Sequence, residues 1–143
     1  MNLDELKIQA SNDLAIEDED NLDQESYKNQ RIKSKWLDYK SHFEGLLIVA
    51  KRNHQLLHRE KWLYYNNKGT DKEYSEKPLG LTVLKTDLQM FITTDEEYCD
   101  SKSKIEYYEM VIRFIDGTIK SIDGRSWDIK HSIEWKKYLA GGF

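Results

Sequence analysis

The sequence predicts an all-α protein built from long amphipathic helices, with a heptad-patterned helical region towards its C-terminal end. Three observations predict it. Between Asn21 and Lys68 there is no proline and a single glycine, Gly45. Across that span Ile32, Trp36, Tyr39, Phe43, Leu46 or Leu47, Ala50, Leu57 and Tyr64 recur mostly three or four apart, the spacing of one helix face. In the last third, Ile105, Tyr108, Ile112, Ile115, Ile119 and Ile122 are separated by 3, 4, 3, 4 and 3 residues, the seam of a helix that packs along its length.

The elements follow in order. Leu3, Leu6 and Ala10 mark a short amphipathic helix, and the acidic run Glu17–Asp20 after it reads as a solvated loop. Asn21 suits the N-cap of the long helix, with Gln24 as its capping-box partner, and Gly45 is the one position where that helix would bend. It should close at Asn66-Asn67-Lys68-Gly69, because asparagine and glycine accept the left-handed conformation that ends a helix. A polar loop over 69–80 holds Pro78, the only proline. From 81 to 143 the chain reads as helical. Val83, Leu84, Leu88, Phe91 and Ile92 fit one face, although the β-branched content keeps a strand open for Phe91–Thr94.

The heptad frame continues through Ile129 and Ile133, and Ile-Asp-Gly occurs at both 115–117 and 122–124. Glycines seven apart on one face would let a neighbouring helix approach closely. The competing reading is a hairpin turning at Asp116-Gly117 between Val111–Ile115 and Thr118–Ile122. A helix is preferred, because a hairpin makes no use of the seven-residue repeat.

At 143 residues the chain suits a single domain. Charged residues make up 34% and hydrophobic ones only 38%, so subunits that share apolar faces are expected. The lone Cys99 has no disulfide partner and points to a reducing compartment. With an acidic amphipathic N-terminus and no apolar run of membrane-spanning length, the chain reads as soluble and unexported, with no membrane partner.

The net charge of −4 averages over unlike segments: residues 1–26 carry −8, residues 27–68 carry +7, and residues 69–143 carry −3. Catalytic patterns are missing: there is no phosphate-cradling glycine loop, no nucleophile elbow and no Cys/His ligand spacing, so neither enzyme activity nor a cofactor nor a metal is expected. His54 and His58 share a helix face but have only Glu60 nearby, which favours a solvated or phosphate-facing role. Asp95-Glu96-Glu97 reads as a solvated turn and Cys99 as inert. The stretch from Lys28 to Lys68 is different. Its C-terminal end combines Lys51, Arg52, Arg59, Lys61 and Lys68 with Trp62, Tyr64 and Tyr65. Cations attract phosphates and release counterions, and rings give platforms for unstacked bases, a mixture suited to single strands. The blander alternative makes Trp62 and Tyr65 core and the lysines merely solvating.

Ser34-Lys35-Trp36-Leu37, the basic-x-basic run into Tyr64-Tyr65 with Gly69 beyond, Phe114 and Ile129-Lys130-His131 together resemble the UvsY recombination mediators of T-even-like phages. The resemblance covers about Ser34 to His131. It implies a small α-helical subunit that closes with its copies into a helical-barrel-like ring of six or seven and binds single-stranded DNA. It also implies contact with a RecA-like phage recombinase and the phage single-strand-binding protein, in the cytoplasm of the infected host. The family's DNA-contacting basic pair falls on Arg59 and Lys61, with Arg59 standing where the family has lysine. Assembly in the C-terminal region would use Ile105, Tyr108, Ile112, Ile115, Ile119, Ile122, Ile129 and Ile133. The acidic stretch is more pronounced than the family pattern, and residues 1–20 could mimic phosphates or meet a basic recombinase surface. A helical scaffold that binds an acidic protein is the alternative from another class.

Overall fold

The computed structural model describes residues 1–141. Five helices form: α1 Leu3–Leu14, α2 Leu22–Tyr65, α3 Asp71–Glu76, α4 Leu88–Thr93 and α5 Glu96–Leu139. No strand occurs among the described residues, so the helical readings of 111–122 and of Phe91 to Thr93 hold. Helix α2 runs through Gly45 without interruption. The packing divides into two units, residues 1–43 with the chain from Met110 onward, and Glu44–Glu109.

In the first unit Asn2 begins α1 with a capping box, its side chain accepting from the Glu5 N–H at 2.9 Å while the Glu5 carboxylate accepts from the Asn2 N–H at 3.1 Å. Leu6 and Ala10 turn inward. Trp36 is fully buried, its ring edge-on to Tyr39 and Phe114, and its indole N–H donates to Asp13 Oδ2 at 3.0 Å. Ile32 and Phe43 continue this inward face. A side chain of Trp36's size contributes about 2–3 kcal/mol through burial, and its polar edge is matched rather than stranded.

The buried face of α5 is Val111, Ile115, Thr118, Ile122, Arg125 and Ile129, spaced 4, 3, 4, 3 and 4. This is a heptad seam, turned by one position from the isoleucine seam. Val111 stands in for Ile112 and Thr118 for Ile119, and both of those isoleucines sit half-buried at its edge. Thr118 is tolerated inside because its hydroxyl donates to the Phe114 carbonyl at 3.0 Å. Arg125 is tolerated because its guanidinium pairs with the buried Glu25 carboxylate and donates to the carbonyls of Glu25 (3.0 Å) and Ala15 (3.3 Å) and to Asn29 Oδ1 (3.1 Å). Asn29 in turn donates to the Ile122 carbonyl and to Ser126.

The repeated Ile-Asp-Gly has a use inside the chain. Each isoleucine is buried, and each aspartate, one residue on, pairs with a lysine of α2: Asp116 with Lys40 and Asp123 with Lys33, both at 2.8 Å. The lysines are seven apart and run in the opposite order, so the heptad serves antiparallel packing of α2 against α5. Within the subunit a Cβ at Gly117 or Gly124 would meet nothing within 4 Å, so the packing of α2 on α5 does not require these glycines.

In the second unit Val83, Leu88 and Ile92 form a small core against Tyr65, Phe91 and Tyr98. Two expectations change here. The stretch 69–80 is not all loop, because Thr70 caps α3 by accepting from the Glu73 N–H at 3.2 Å. Residues 81–87 are not helical, since α4 starts only at Leu88, and Val83 reaches the core from the connecting segment while Leu84 stays exposed.

Replacing Arg125 by Met leaves Glu25 buried without its cation. The expected cost is about 3–5 kcal/mol, read as a lower denaturant midpoint with an unchanged m-value.

Candidate nucleic-acid interface

Helix α2 ends in the left-handed turn its asparagines favour: Asn67 has φ 57°, the Lys68 N–H bonds to the Leu63 carbonyl at 2.8 Å, and the Asn67 N–H to the Tyr64 carbonyl at 3.2 Å. Tyr74, from α3, reinforces the turn by donating its hydroxyl to the Tyr64 carbonyl at 2.6 Å and accepting from the Gly69 N–H at 3.0 Å. Its ring stacks on Tyr64 at 5.3 Å. A Cβ at Gly69 would come within 2.9 Å of the Glu73 carboxylate and 3.1 Å of the Tyr74 ring, so a side chain there would displace the flexible Glu73 tip and push Tyr74 by a few tenths of an ångström.

One turn earlier lies a polar hub centred on Asp95. Its carboxylate accepts from the Tyr65 hydroxyl at 2.6 Å and the Tyr98 N–H at 3.1 Å, so it caps α5 while receiving a side chain of α2. Lys61 Nζ lies 3.4 Å from Asp95 and 2.9 Å from Glu97, with only 13% of its side chain exposed. Burial raises Asp95, but the bonds from Tyr65, the Tyr98 N–H and Lys61 outweigh it and hold the carboxyl below its ordinary 3.8. Burial lowers Lys61, yet Glu97 and Asp95 together hold it above 10.5. Burial, then the bond to Asp95, raises Tyr65 above 10.0.

The eight residues expected to meet nucleic acid therefore divide. Lys61, Tyr64 and Tyr65 are engaged within the second unit, Tyr64 also donating its hydroxyl to the Lys77 carbonyl at 2.9 Å. Lys51, Arg52 and Arg59 are exposed and make no ion pair among the described residues. Trp62 is 38% exposed, and Lys68 Nζ stands 5.1 Å from its ring centroid. His54 and His58 face Tyr98 instead of solvent, with ring centroids at 4.4 and 5.8 Å, and His54 Nδ1 is 3.0 Å from Ser101 Oγ. Burial, then His58 and Lys102, hold His54 below its ordinary 6.5.

Asp95 is the residue that sequence reading assigned to a solvated turn. Its signal was an aspartate directly before Glu96-Glu97 at the start of a long helical pattern, which is an N-cap followed by an acidic first turn. The seam residues divide as well. Ile115, Ile122 and Ile129 are in the subunit's own core, whereas Ile105, Tyr108, Ile112, Ile119 and Ile133 are half-buried. Among the described residues no helix is long and apolar enough to cross a membrane, and no group of three or more His, Cys, Asp or Glu could hold a metal.

Cations without carboxylate partners and a partly exposed indole, carried on one continuous helix, are the features expected of an all-helical nucleic-acid-binding protein. The family model described as "Recombination, repair and ssDNA binding protein UvsY" matches residues 9–142, and the chain belongs to that family. It is 23% identical over 141 residues to the recombination protein uvsY of enterobacteria phage T4, covering 99% of each chain. Crystal structures of the bacteriophage T4 recombination mediator protein UvsY superpose with a TM-score of 0.85 at 21% identity, covering 98% of both chains, in one lattice. In another the TM-score is 0.83 at 18% identity, covering 97% of this chain and 99% of the other. At these identities the structural likeness speaks for the fold.

A group with a raised pKa stabilises fully below its unfolded value and loses that contribution as pH climbs through the folded one; a lowered group does the reverse. The hub is therefore complete between the ordinary values of Asp95, 3.8, and Tyr65, 10.0, and weakens outside them. Above pH 10 the wild type should lose stability, and Asp95→Asn, already lacking the pair, should lose less over the same range, as followed by circular dichroism in denaturant.

Proposed function

We propose that this protein is a recombination mediator that binds single-stranded DNA and loads a RecA-like phage recombinase onto strands covered by the phage single-strand-binding protein. The family match across residues 9–142 carries this reading. The strand is held by Lys51, Arg52, Arg59 and Lys68 through its phosphates and by Trp62 through its bases. Lys61, Tyr64 and Tyr65 serve the same site from behind by fixing the end of α2. No covalent chemistry is involved: the protein presents DNA, loosens its cover and nucleates the recombinase filament in the cytoplasm of the infected cell.

Copies of the chain assemble into a ring of six or seven, which repeats the cationic surface and multiplies its hold on one strand. Two features support assembly. The half-buried Ile105, Ile112, Ile119 and Ile133 leave an apolar margin along α5, and beyond Ile122 the helix exposes Trp127, Trp135 and Leu139, each at least 60% accessible.

The site is tested by measuring single-strand affinity across a salt series. Arg59→Ala and the pair Lys51→Ala/Arg52→Ala should each weaken binding and flatten the logarithmic salt slope by about 0.7 for each phosphate no longer held, whereas Lys61→Met should leave the slope unchanged. Trp62→Ala should cost about 1–3 kcal/mol of binding. A filament-assembly assay on covered single strands then reads mediation: the wild type shortens the lag, and the triple variant at positions 51, 52 and 59 does not. Unchanged affinity in that variant would move the interface elsewhere.

A further inference from the structure

The N-terminal half of α2 carries a second set of cations that the proposed interface does not use. Lys28, Arg31, Ile32 and Lys35, at positions i, i+3, i+4 and i+7, line a shallow groove of about 300 Å³. Ile32 is buried at its floor. Tyr27 adjoins it, 76% exposed and four residues from Arg31, so ring and guanidinium share one side of the helix.

Two carboxylates from the acidic N-terminal segment reach these cations, and they are not equivalent. Asp13 Oδ2 lies 2.6 Å from Lys35 Nζ, accepts the Trp36 indole N–H as well, and its side chain is 17% exposed, so it is a fixed part of the fold. Glu17 approaches Lys28 only to 3.9 Å, with 69% of its side chain exposed. Arg31 has no carboxylate partner among the described residues.

We propose that this groove is a second contact for the phosphate backbone of single-stranded DNA, and that Glu17 occupies it as a displaceable stand-in for a phosphate. The proposal rests on the strand-binding reading above. Arg31 and Lys28 supply donors for phosphate oxygens and Tyr27 supplies a ring for a base, the same combination that Arg59 and Trp62 offer further along α2. An exposed pair at the limit of ionic contact is weakly held and salt-screened, whereas a strand brings successive phosphates and gains from counterion release. The strand therefore replaces Glu17 and leaves Asp13 in place. The acidic segment next to a binding helix thus acts as an exchangeable occupant.

The test uses the full-length protein and a fluorescein-labelled oligothymidylate over a salt series, with circular dichroism melting to confirm that each variant is folded. Lys28→Ala/Arg31→Ala should lower affinity about tenfold at 0.1 M salt and flatten the slope by about 1.4, two phosphates at about 0.7 each. Glu17→Gln should tighten binding about twofold to threefold at low salt, since it removes a competitor for Lys28. Wild-type affinity and slope in the double variant would overturn the proposal. So would a polyglutamate that binds the wild type but not the double variant while DNA binding is unaffected, which would assign the groove to acidic peptides. A fall in affinity for Arg59→Ala alone overturns the groove and leaves strand binding standing; no fall in either set overturns both.

Discussion

Charge pairing within the chain decides which cations are left for a polyanion. Residues 27–68 hold ten lysines and arginines. Lys28, Lys33, Lys35, Lys40 and Lys61 each face a carboxylate from outside that segment: Glu17, Asp123, Asp13, Asp116, and Asp95 with Glu97. Four of these five, all but Lys61, lie in the half of α2 that packs against α5 and α1, where the lysine-to-aspartate pairs of Lys33, Lys35 and Lys40 also set register. What stays unpaired is Arg31 and, further along, Lys51, Arg52, Arg59 and Lys68. A segment that looks uniformly basic thus has half its cations committed to carboxylates of the fold and half left free for a polyanion.

Polar groups inside each unit make that division durable. In the first, Arg125 is tied to Glu25, Asn29 and the Ala15 carbonyl, which joins α5, α2 and the chain leaving α1 at one point. In the second, Asp95 gathers Tyr65, Lys61 and the start of α5. Each is costly to break because a buried charge would be left alone, and each fixes the rotation of α2. Rotation decides what α2 presents: one residue of slip turns the helix by about a quarter of a turn and would carry Arg59 and Trp62 away from solvent.

Much of this was legible in the sequence, for reasons that can be named. The ends and length of α2 followed from the absence of proline, the 3–4 spacing and the Asn66-Asn67 terminus, all local signals. The period of α5 was legible in the isoleucines, but the subunit's own buried seam lies one position round from them in part, because Thr118 and Arg125 look polar until Phe114, Glu25 and Asn29 are seen to satisfy them. Those partners lie up to 100 residues away in the chain. For the same reason the partners of Lys61, Tyr64 and Tyr65 within the chain were not legible. Lys61 and Tyr65 have the composition of a strand-binding motif, and only the fold brings Asp95 and Glu97 to them. Lys51, Arg52 and Arg59 stay candidate DNA-binding cations because, among the described residues, no carboxylate distant in sequence pairs with them.

The most direct measurement is lysine acetylation footprinting by mass spectrometry, with and without a single-stranded oligonucleotide. The account predicts that Lys51 and Lys68 react quickly in the free protein and are protected by DNA, while Lys61 reacts slowly in both states because Asp95 and Glu97 already hold it. A Lys61 that is reactive when free and protected by DNA, with Lys51 and Lys68 unchanged, would contradict it.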